Sequence, residues 1–209
     1  MSEVLANVVV LDTETTGLLP PLSSPMGFAA HPKVIDIGAV KCALYKGDNG
    51  NLGVGKEIDR FQTLVNPLEP IPRRITKITG IHDSDVKEAP PFSQVWPRLR
   101  AFLQDARFVF AHNAAFDYGV LAVNVSRSVG EREVNWLCSS LCFVCTVEMF
   151  EPIWGRRPKL TELYEYVLGK PLFERHRALS DAQDLAEILQ ALGPIVPDVE
   201  IKTQCTKIS

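Results

Sequence analysis

The sequence predicts a layered α/β domain built on a mixed sheet, and two observations carry that prediction. Three short strand signals follow one another early in the chain, separated by turn residues. After them, apolar runs alternate with stretches of helical periodicity, which is the pattern of strands and helices packed in layers. The length, 209 residues, suits one domain able to bury a sizeable core without disulfides or structural metal.

Taken in order, Val8 to Leu11 is apolar on both faces and reads as a central, buried strand. Val34 to Val40 is the second strand and Phe61 to Val65 the third. Between them, Lys46 to Asp59 carries Gly47, Asp48, Asn49, Gly50, Gly53 and Gly55, which is turn chemistry, so strands two and three are expected to form a hairpin with an extended tip. Asn66-Pro67 closes this meander. Phe92 to Leu103 reads as helix, with Pro97 either in its first turn or marking a break. Phe108 to Ala111 is the fourth strand, followed by a helix from about Ala114 to Val125. Leu141 to Val144 is the fifth strand candidate, and Lys159 to Leu168 and Ala178 to Leu192 complete the helices. A stretch over 19–33 with Pro20, Pro21, Pro25 and Pro32 is an irregular insert, and the final residues carry weak fold signals.

Composition narrows the function classes. Lys+Arg number 22 against 25 Asp+Glu, a formal charge of −3. That balance excludes a strongly cationic protein that holds nucleic acid by bulk electrostatics, but not a nuclease, whose acidic metal ligands weigh on the sum. Residues 1–7 lack a basic leader region, and Val8 to Leu11 is too short for a membrane span, so the expectation is an intracellular, cytoplasmic protein without a membrane. Cys138, Cys142 and Cys145 have the spacing of half a zinc site but no second pair. With Cys42 and Cys205 they read as buried, inert thiols.

The informative residues are acids at positions where the pattern calls for apolar side chains. Asp12 and Glu14 follow the buried strand directly and, being two apart, project from one face, with Thr13 turned the other way. Two carboxylates side by side repel unless a cation joins them; the alternative is that they cap the Thr15-Thr16-Gly17 turn. Asp181 lies within about 40° of Leu185, Ile188 and Leu192 on a helical wheel, on the stripe that should face the core. A buried charge there needs a partner or a metal, unless it or Ser180 caps the helix. Asp117 alone would be an ordinary first-turn acid, and His176, five residues before Asp181, an ordinary solvated loop histidine. Together, four acids and one imidazole are what a two-metal phosphodiester site requires, because Mg²⁺ prefers oxygen ligands and a pair of such ions can clamp the attacking and leaving oxygens. Setting the four acids aside turns the formal charge of −3 into +1.

These residues carry a resemblance. Residues 12–17, Asp-Thr-Glu-Thr-Thr-Gly, resemble the first motif of the DEDD exonucleases, a branch of the ribonuclease H-like superfamily. Residues 112–117, His-Asn-Ala-Ala-Phe-Asp, resemble the second. Residues 176–182 are similar to the third motif in the DEDDh subtype, which carries a histidine five residues before the last acid. Ile78-Thr79-Gly80-Ile81 matches a loop common in these enzymes. The resemblance spans roughly residues 8–192.

It implies an α/β fold of the ribonuclease H-like kind: a five-stranded mixed sheet, made of a three-strand antiparallel meander plus parallel strands, with helices on both faces. An exonuclease domain would span 1–193, with 194–209 as a tail. The implied reaction is removal of nucleotides from DNA 3′ ends as 5′-monophosphates, as in DNA proofreading or repair. Asp12, Glu14, Asp117 and Asp181 would bind two Mg²⁺ or Mn²⁺ ions, and His176 would be the general base. Thr13, Thr15, Thr16 and Leu18 match positions lining the terminal nucleotide, Leu18 as a wedge, and His112, Asn113 and Phe116 match the opposite wall; ordinary turn and packing roles are the alternative for this set. The implied partners are single-stranded DNA 3′ ends, with RNA as the second substrate, and a DNA polymerase or other replication or repair protein.

Two features depart from the family pattern. The 19–33 insert is long, and Asp36 stands where Glu is more usual on strand two, a change expected to alter a contact behind the metal ligands. Arg156, Arg157 and Lys159 fit either a phosphate grip or a solvated basic cluster. Three other readings stay open: RNA ends as substrate, a non-catalytic binding or assembly module on the same fold, and an endonuclease.

Overall fold

A computed structural model describes residues 3–20, 31–173 and 175–194. The chain runs β1 (Glu3–Thr15), β2 (Val34–Lys46), β3 (Leu52–Leu64), α1 (Arg73–Thr79), α2 (Asp83–Val86), α3 (Phe92–Leu103), β4 (Ala106–Ala111), α4 (Ala114–Ser128), α5 (Glu131–Ser140), β5 (Phe143–Cys145), α6 (Thr146–Trp154), α7 (Leu160–Leu168) and α8 (Ala178–Leu192). The five strands form one sheet in the order β3-β2-β1-β4-β5. β1, β2 and β3 pair antiparallel, whereas β4 runs parallel to β1 and β5 parallel to β4. The expected mixed sheet is therefore present, with the Val8–Leu11 strand at its centre.

Alternation along β1 explains the two layers. Val9 and Leu11 pack with Val95, Trp96 and Leu99 of α3 and Val120, Leu121 and Val125 of α4. Val8 and Val10 face the other way, onto Leu163 of α7 and Leu185, Ile188 and Leu189 of α8. Each such buried aliphatic side chain contributes about 1.5–3 kcal/mol, so α8 is held firmly to its face of the sheet. A smaller cluster of Ile35, Ile71, Ile81 and Val86 seats α1 and α2 beside the start of β2.

Several local expectations are corrected. The β2–β3 hairpin tip is short, not extended: only residues 47–51 turn, with Gly50 at φ 81°, and Gly53 and Gly55 lie inside β3. Gly53 makes room for a ring, since a methyl there would meet Tyr45 Cζ at 2.5 Å. Pro97 neither starts nor breaks α3; it sits inside the helix on its exposed side, so the carbonyl it leaves without a donor faces solvent. Cys42 and Cys145 are buried free thiols, as expected, but Cys138 is exposed, and its sulfur lies 2.9 Å from the Tyr118 hydroxyl. Cys142 is half-buried and, against the expectation of an inert thiol, is disulfide-bonded. Cys205, most of the 19–33 insert and nearly all of the 194–209 tail lie outside the described residues. Among the described residues no helix is long and apolar enough to cross a membrane.

Candidate active site

The sheet ends unevenly, and that unevenness makes the site. β1 pairs with β2 as far as Thr15, opposite Val34, but its register with β4 stops at Val10, opposite Phe110. Beyond that point β4 turns into α4 through Asn113, whose φ of 73° is a left-handed conformation that asparagine tolerates. Asp12 and Glu14 continue the Val8/Val10 face, toward α8, and Thr13 continues the Val9/Leu11 face, toward α4. The Thr13 hydroxyl donates to Asp117 Oδ1 at 2.7 Å. Asp117 is 2% exposed, so it is not a solvated first-turn acid.

On the other face, α8 brings Asp181 to the same strand end. Glu14, His176 and Asp181 each offer a ligand atom, and these atoms lie within 4.8 Å of one another. Gly38 is what lets the helix come this close. It pairs with Asp12 across the β1–β2 ladder, and a methyl on it would lie 2.0 Å from Leu179 N and 2.2 Å from the Ala178 carbonyl carbon. The α8 N-terminus thus rests on bare strand backbone. Neither Ser180 nor Asp181 caps the helix; Arg177 occupies the cap position without a side-chain cap bond. The turn after β1 is closed by Thr15, whose hydroxyl donates to Gly17 O, and by Thr16 Oγ1, which accepts from Lys33 N. Asp12 and Glu14 are not needed there.

The electrostatics follow from this crowding. Burial raises the Asp12 carboxyl well above its ordinary range, and the charges of Asp117, Glu14, Asp181 and Asp36 raise it further. Glu14 is pushed up to about 8, first by burial and then by Asp181, Asp36 and Asp117, with Arg177 pulling it down. Burial raises Asp117 to about 7 against the opposing Thr13 bond. Carboxylates that hold protons near neutral pH are a site that a cation can occupy in their place. The donor set, mostly carboxylate oxygens with one imidazole, suits Mg²⁺ or Mn²⁺ rather than a soft metal.

His176 sits on the loop before α8, half-buried, with φ 46°. Its neighbour Arg177 donates from Nε to Asp36 Oδ2 at 3.1 Å, and Asp36 is fully buried on β2. Asp36, the departure noted in the sequence, therefore ties the histidine loop to the sheet. Arg177 and Gly38 were missed by sequence reasoning. A glycine inside a strand is a signal of close backbone approach, and it was available at position 38.

The nucleotide-lining set divides. The side chains of Thr13, Thr15 and Thr16 are buried and engaged as described. His112 has both ring nitrogens occupied, Nδ1 with Thr146 Oγ1 at 3.1 Å and Nε2 with Pro158 O at 3.0 Å; burial lowers its pKa. These four side chains thus already have partners within the protein, Thr13 on the site acid Asp117, Thr15 and Thr16 in the turn, and His112 against Thr146 and Pro158. Leu18 is 76% exposed, Phe116 half-buried, and Asn113 exposed with its Oδ1 accepting from Arg157 Nη2 at 2.9 Å. The basic cluster is largely committed too: Arg156 makes two bonds to Glu162, at 2.9 and 2.7 Å, and Arg157 also approaches Glu151.

The sequence model of the exonuclease family (RNase_T) matches residues 9–189. A DNA polymerase III of PolC type from Caldanaerobacter subterraneus is 33% identical over 195 residues, covering 93% of this chain and 12% of that protein. The chain thus spans only a small part of the length of the curated relatives it matches. Among solved structures, the nuclease domain of 3′hExo, a DEDDh family member bound to rAMP, superposes with a TM-score of 0.64 at 16% identity, covering 88% of this chain and 89% of that one. Exonuclease X in complex with 5′ overhanging duplex DNA superposes with a TM-score of 0.56 at 22% identity, covering 96% and 98%. These two likenesses establish a shared fold.

Proposed function

The chain belongs to the exonuclease family, and from that premise we propose that it removes nucleotides one at a time from the 3′ ends of DNA, releasing 5′-monophosphates. The observation that carries this reading is the convergence of acids from β1, α4 and α8 at one strand end, with an imidazole beside them. The choice of DNA is supported by the PolC-type polymerase relatives. They also support work beside a DNA polymerase.

In this reading Asp12, Glu14, Asp117 and Asp181 hold two Mg²⁺ or Mn²⁺ ions. When bound, such ions neutralise the carboxylates and stabilise charge on the attacking and leaving oxygens of an in-line displacement. His176 takes the proton from the attacking water, work that suits an imidazole near neutral pH. Thr13 fixes the Asp117 carboxylate, and the Arg177–Asp36 pair fixes the loop that carries the base. Leu18 and Phe116 offer apolar surface to a base splayed out of its stack, and the Asn113 side-chain amide remains able to donate to the terminal nucleotide.

The test is digestion of end-labelled DNA and RNA oligonucleotides in Mn²⁺, side by side. The expected result is a ladder shortening from the 3′ end, faster on DNA, lost in excess chelator and lost in Asp117→Asn and His176→Ala. Faster digestion of RNA would move the substrate assignment to RNA ends, and cutting of closed circular single strands would indicate an endonuclease. Undiminished release in chelator would overturn the metal-dependent reading.

A further inference from the structure

The sequence placed its basic cluster at 156–159, but its two arginines are engaged by Glu162, Glu151 and Asn113. The uncommitted positive charge lies elsewhere. Helix α1 reads Arg-Arg-Ile-Thr-Lys-Ile-Thr and contains no acid. Arg73, Arg74 and Lys77 are exposed, and none has an acidic partner among the described residues. Spacings of three and four residues put Lys77 on one face with both arginines. The nearby acids are engaged: Glu69 pairs with Lys33 at 2.9 Å, and Asp83 Oδ1 accepts from Ile71 N at 2.8 Å.

This face meets the mouth of the site. Arg74 Nη2 lies 3.5 Å from the place a methyl on Gly17 would occupy. Gly17 is three residues past Glu14 and adjoins the exposed Leu18. The Ile78–Ile81 motif, which the chemistry leaves unused, holds the helix there. Gly80 ends α1 at φ 69° with its N–H on Thr76 O, Thr79 Oγ1 accepts from Ile81 N, and Ile81 is buried with Ile35 of β2.

We infer that Arg73, Arg74 and Lys77 of α1 bind the phosphodiester backbone of the single strand leading into the site, on the 5′ side of the nucleotide being removed. The inference rests on the proposed exonuclease reading. It gives an acidic protein, whose formal charge is −3, a local means of holding a polyanion. Each neutralised phosphate of a single strand steepens the dependence of log affinity on log salt by about 0.7.

The experiment compares two substrates in Mn²⁺ over about 50–200 mM salt. One is an oligonucleotide of about a dozen nucleotides; the other is the p-nitrophenyl ester of thymidine 5′-monophosphate, which has no upstream backbone. The triple variant Arg73→Ala/Arg74→Ala/Lys77→Ala should lose on the order of tenfold in kcat/KM on the oligonucleotide at moderate salt. Its salt slope should be shallower by up to about 2 units, and its rate on the ester unchanged. A charge-matched control, Lys46→Ala/Lys56→Ala/Arg60→Ala, should match wild type on both. Equal losses in the two triple variants, an unchanged oligonucleotide slope, or a parallel loss on the ester would each overturn the inference while leaving the exonuclease reading standing. If the wild type cleaves neither substrate, that reading falls and this inference falls with it.

Discussion

Adding one methyl group at Gly38 should damage catalysis more than it damages the fold. The methyl would sit 2.0 Å from Leu179 N and 2.2 Å from Ala178 C and Leu179 Cα, whereas ordinary contact begins at 3.4 Å. All three obstructing atoms are backbone, so no side chain can swing aside, and the α8 N-terminus must retreat by roughly 1 Å or more. Overpacking of this kind typically costs about 1–3 kcal/mol, and the long apolar stripe of α8 should keep the helix docked. The displaced residues include the loop of His176 and the first turn with Asp181, and a misplacement of about 1 Å in such groups can cost on the order of 100-fold in rate. Gly38→Ala should therefore remain folded, with a Tm lowered by a few degrees, while kcat falls by one to two orders of magnitude and the Mn²⁺ midpoint shifts upward. The measurements are thermal unfolding, a Mn²⁺ titration and single-turnover release of the 3′ nucleotide. Wild-type kcat and wild-type metal dependence in this variant would refute the claim that the closeness of α8 to β2 sets the site.

Two further outcomes follow from the same geometry. The folded Glu14 carboxyl titrates at about 8 against 4.5 for the ordinary group, so between those values the native state keeps a proton that the unfolded chain has lost. Its contribution to stability is present in full below pH 4.5 and is lost as pH rises through 8; Glu14→Gln, in chelator, should be more stable than wild type at high pH by on the order of 1 kcal/mol, with the gain vanishing near pH 4, and a stability gap independent of pH would count against the crowded-acid picture. Arg177→Ala strands the fully buried Asp36 charge and should cost about 1–3 kcal/mol, less than a fully buried pair because Arg177 is itself 41% exposed. Urea unfolding should show Asp36→Asn recovering part of that loss in the double variant; additive losses would mean that the two side chains do not act as a pair.

How much of this was legible in the chain depends on the kind of signal. β1 and α8 were readable because their apolar residues recur at one period over a sufficient length, and α8 starts and ends where the pattern does, at Ala178 and Leu192. The acids were readable for the same reason inverted: Asp12, Glu14 and Asp181 break apolar patterns at places where a charge is expensive. α1 and α2 have 7 and 4 residues, too few for a period to show. α5 buries only Leu137, so its sequence looks like a solvated loop, and α6 contains Pro152. Gly53 and Gly38 show why composition misleads at glycine. One was read as a turn and the other passed over, yet each is a strand residue that makes room for something large. The hydroxyls of Thr13, Thr15 and Thr16 sit beside the acids in sequence and so look available to a substrate. Their burial is set by strand parity and by the Lys33 connection, which no local pattern displays.

The site residues differ in how they are held, and that difference orders their sensitivity. Asp12 and Glu14 belong to a ladder paired with β2 on one side, Asp117 is buried and fixed by a short bond from Thr13, and Asp181 rides on a helix pressed against bare backbone. Each of these rests on regular structure with many supporting contacts, where geometry is held most closely. His176 alone stands on irregular backbone, in a left-handed conformation that an L-residue adopts only at some cost. The next residue helps to hold that conformation, through an ion pair to a buried acid. In the proposed mechanism the carboxylates that would hold cations are therefore built into regular elements, while the imidazole that would accept the proton sits on a loop joined to β2 through Arg177 and Asp36. Changes along β2 that leave the core intact, at Asp36 above all, should then reach the chemistry by two routes, the position of the imidazole and the Asp36 charge that bears on Asp12 and Glu14.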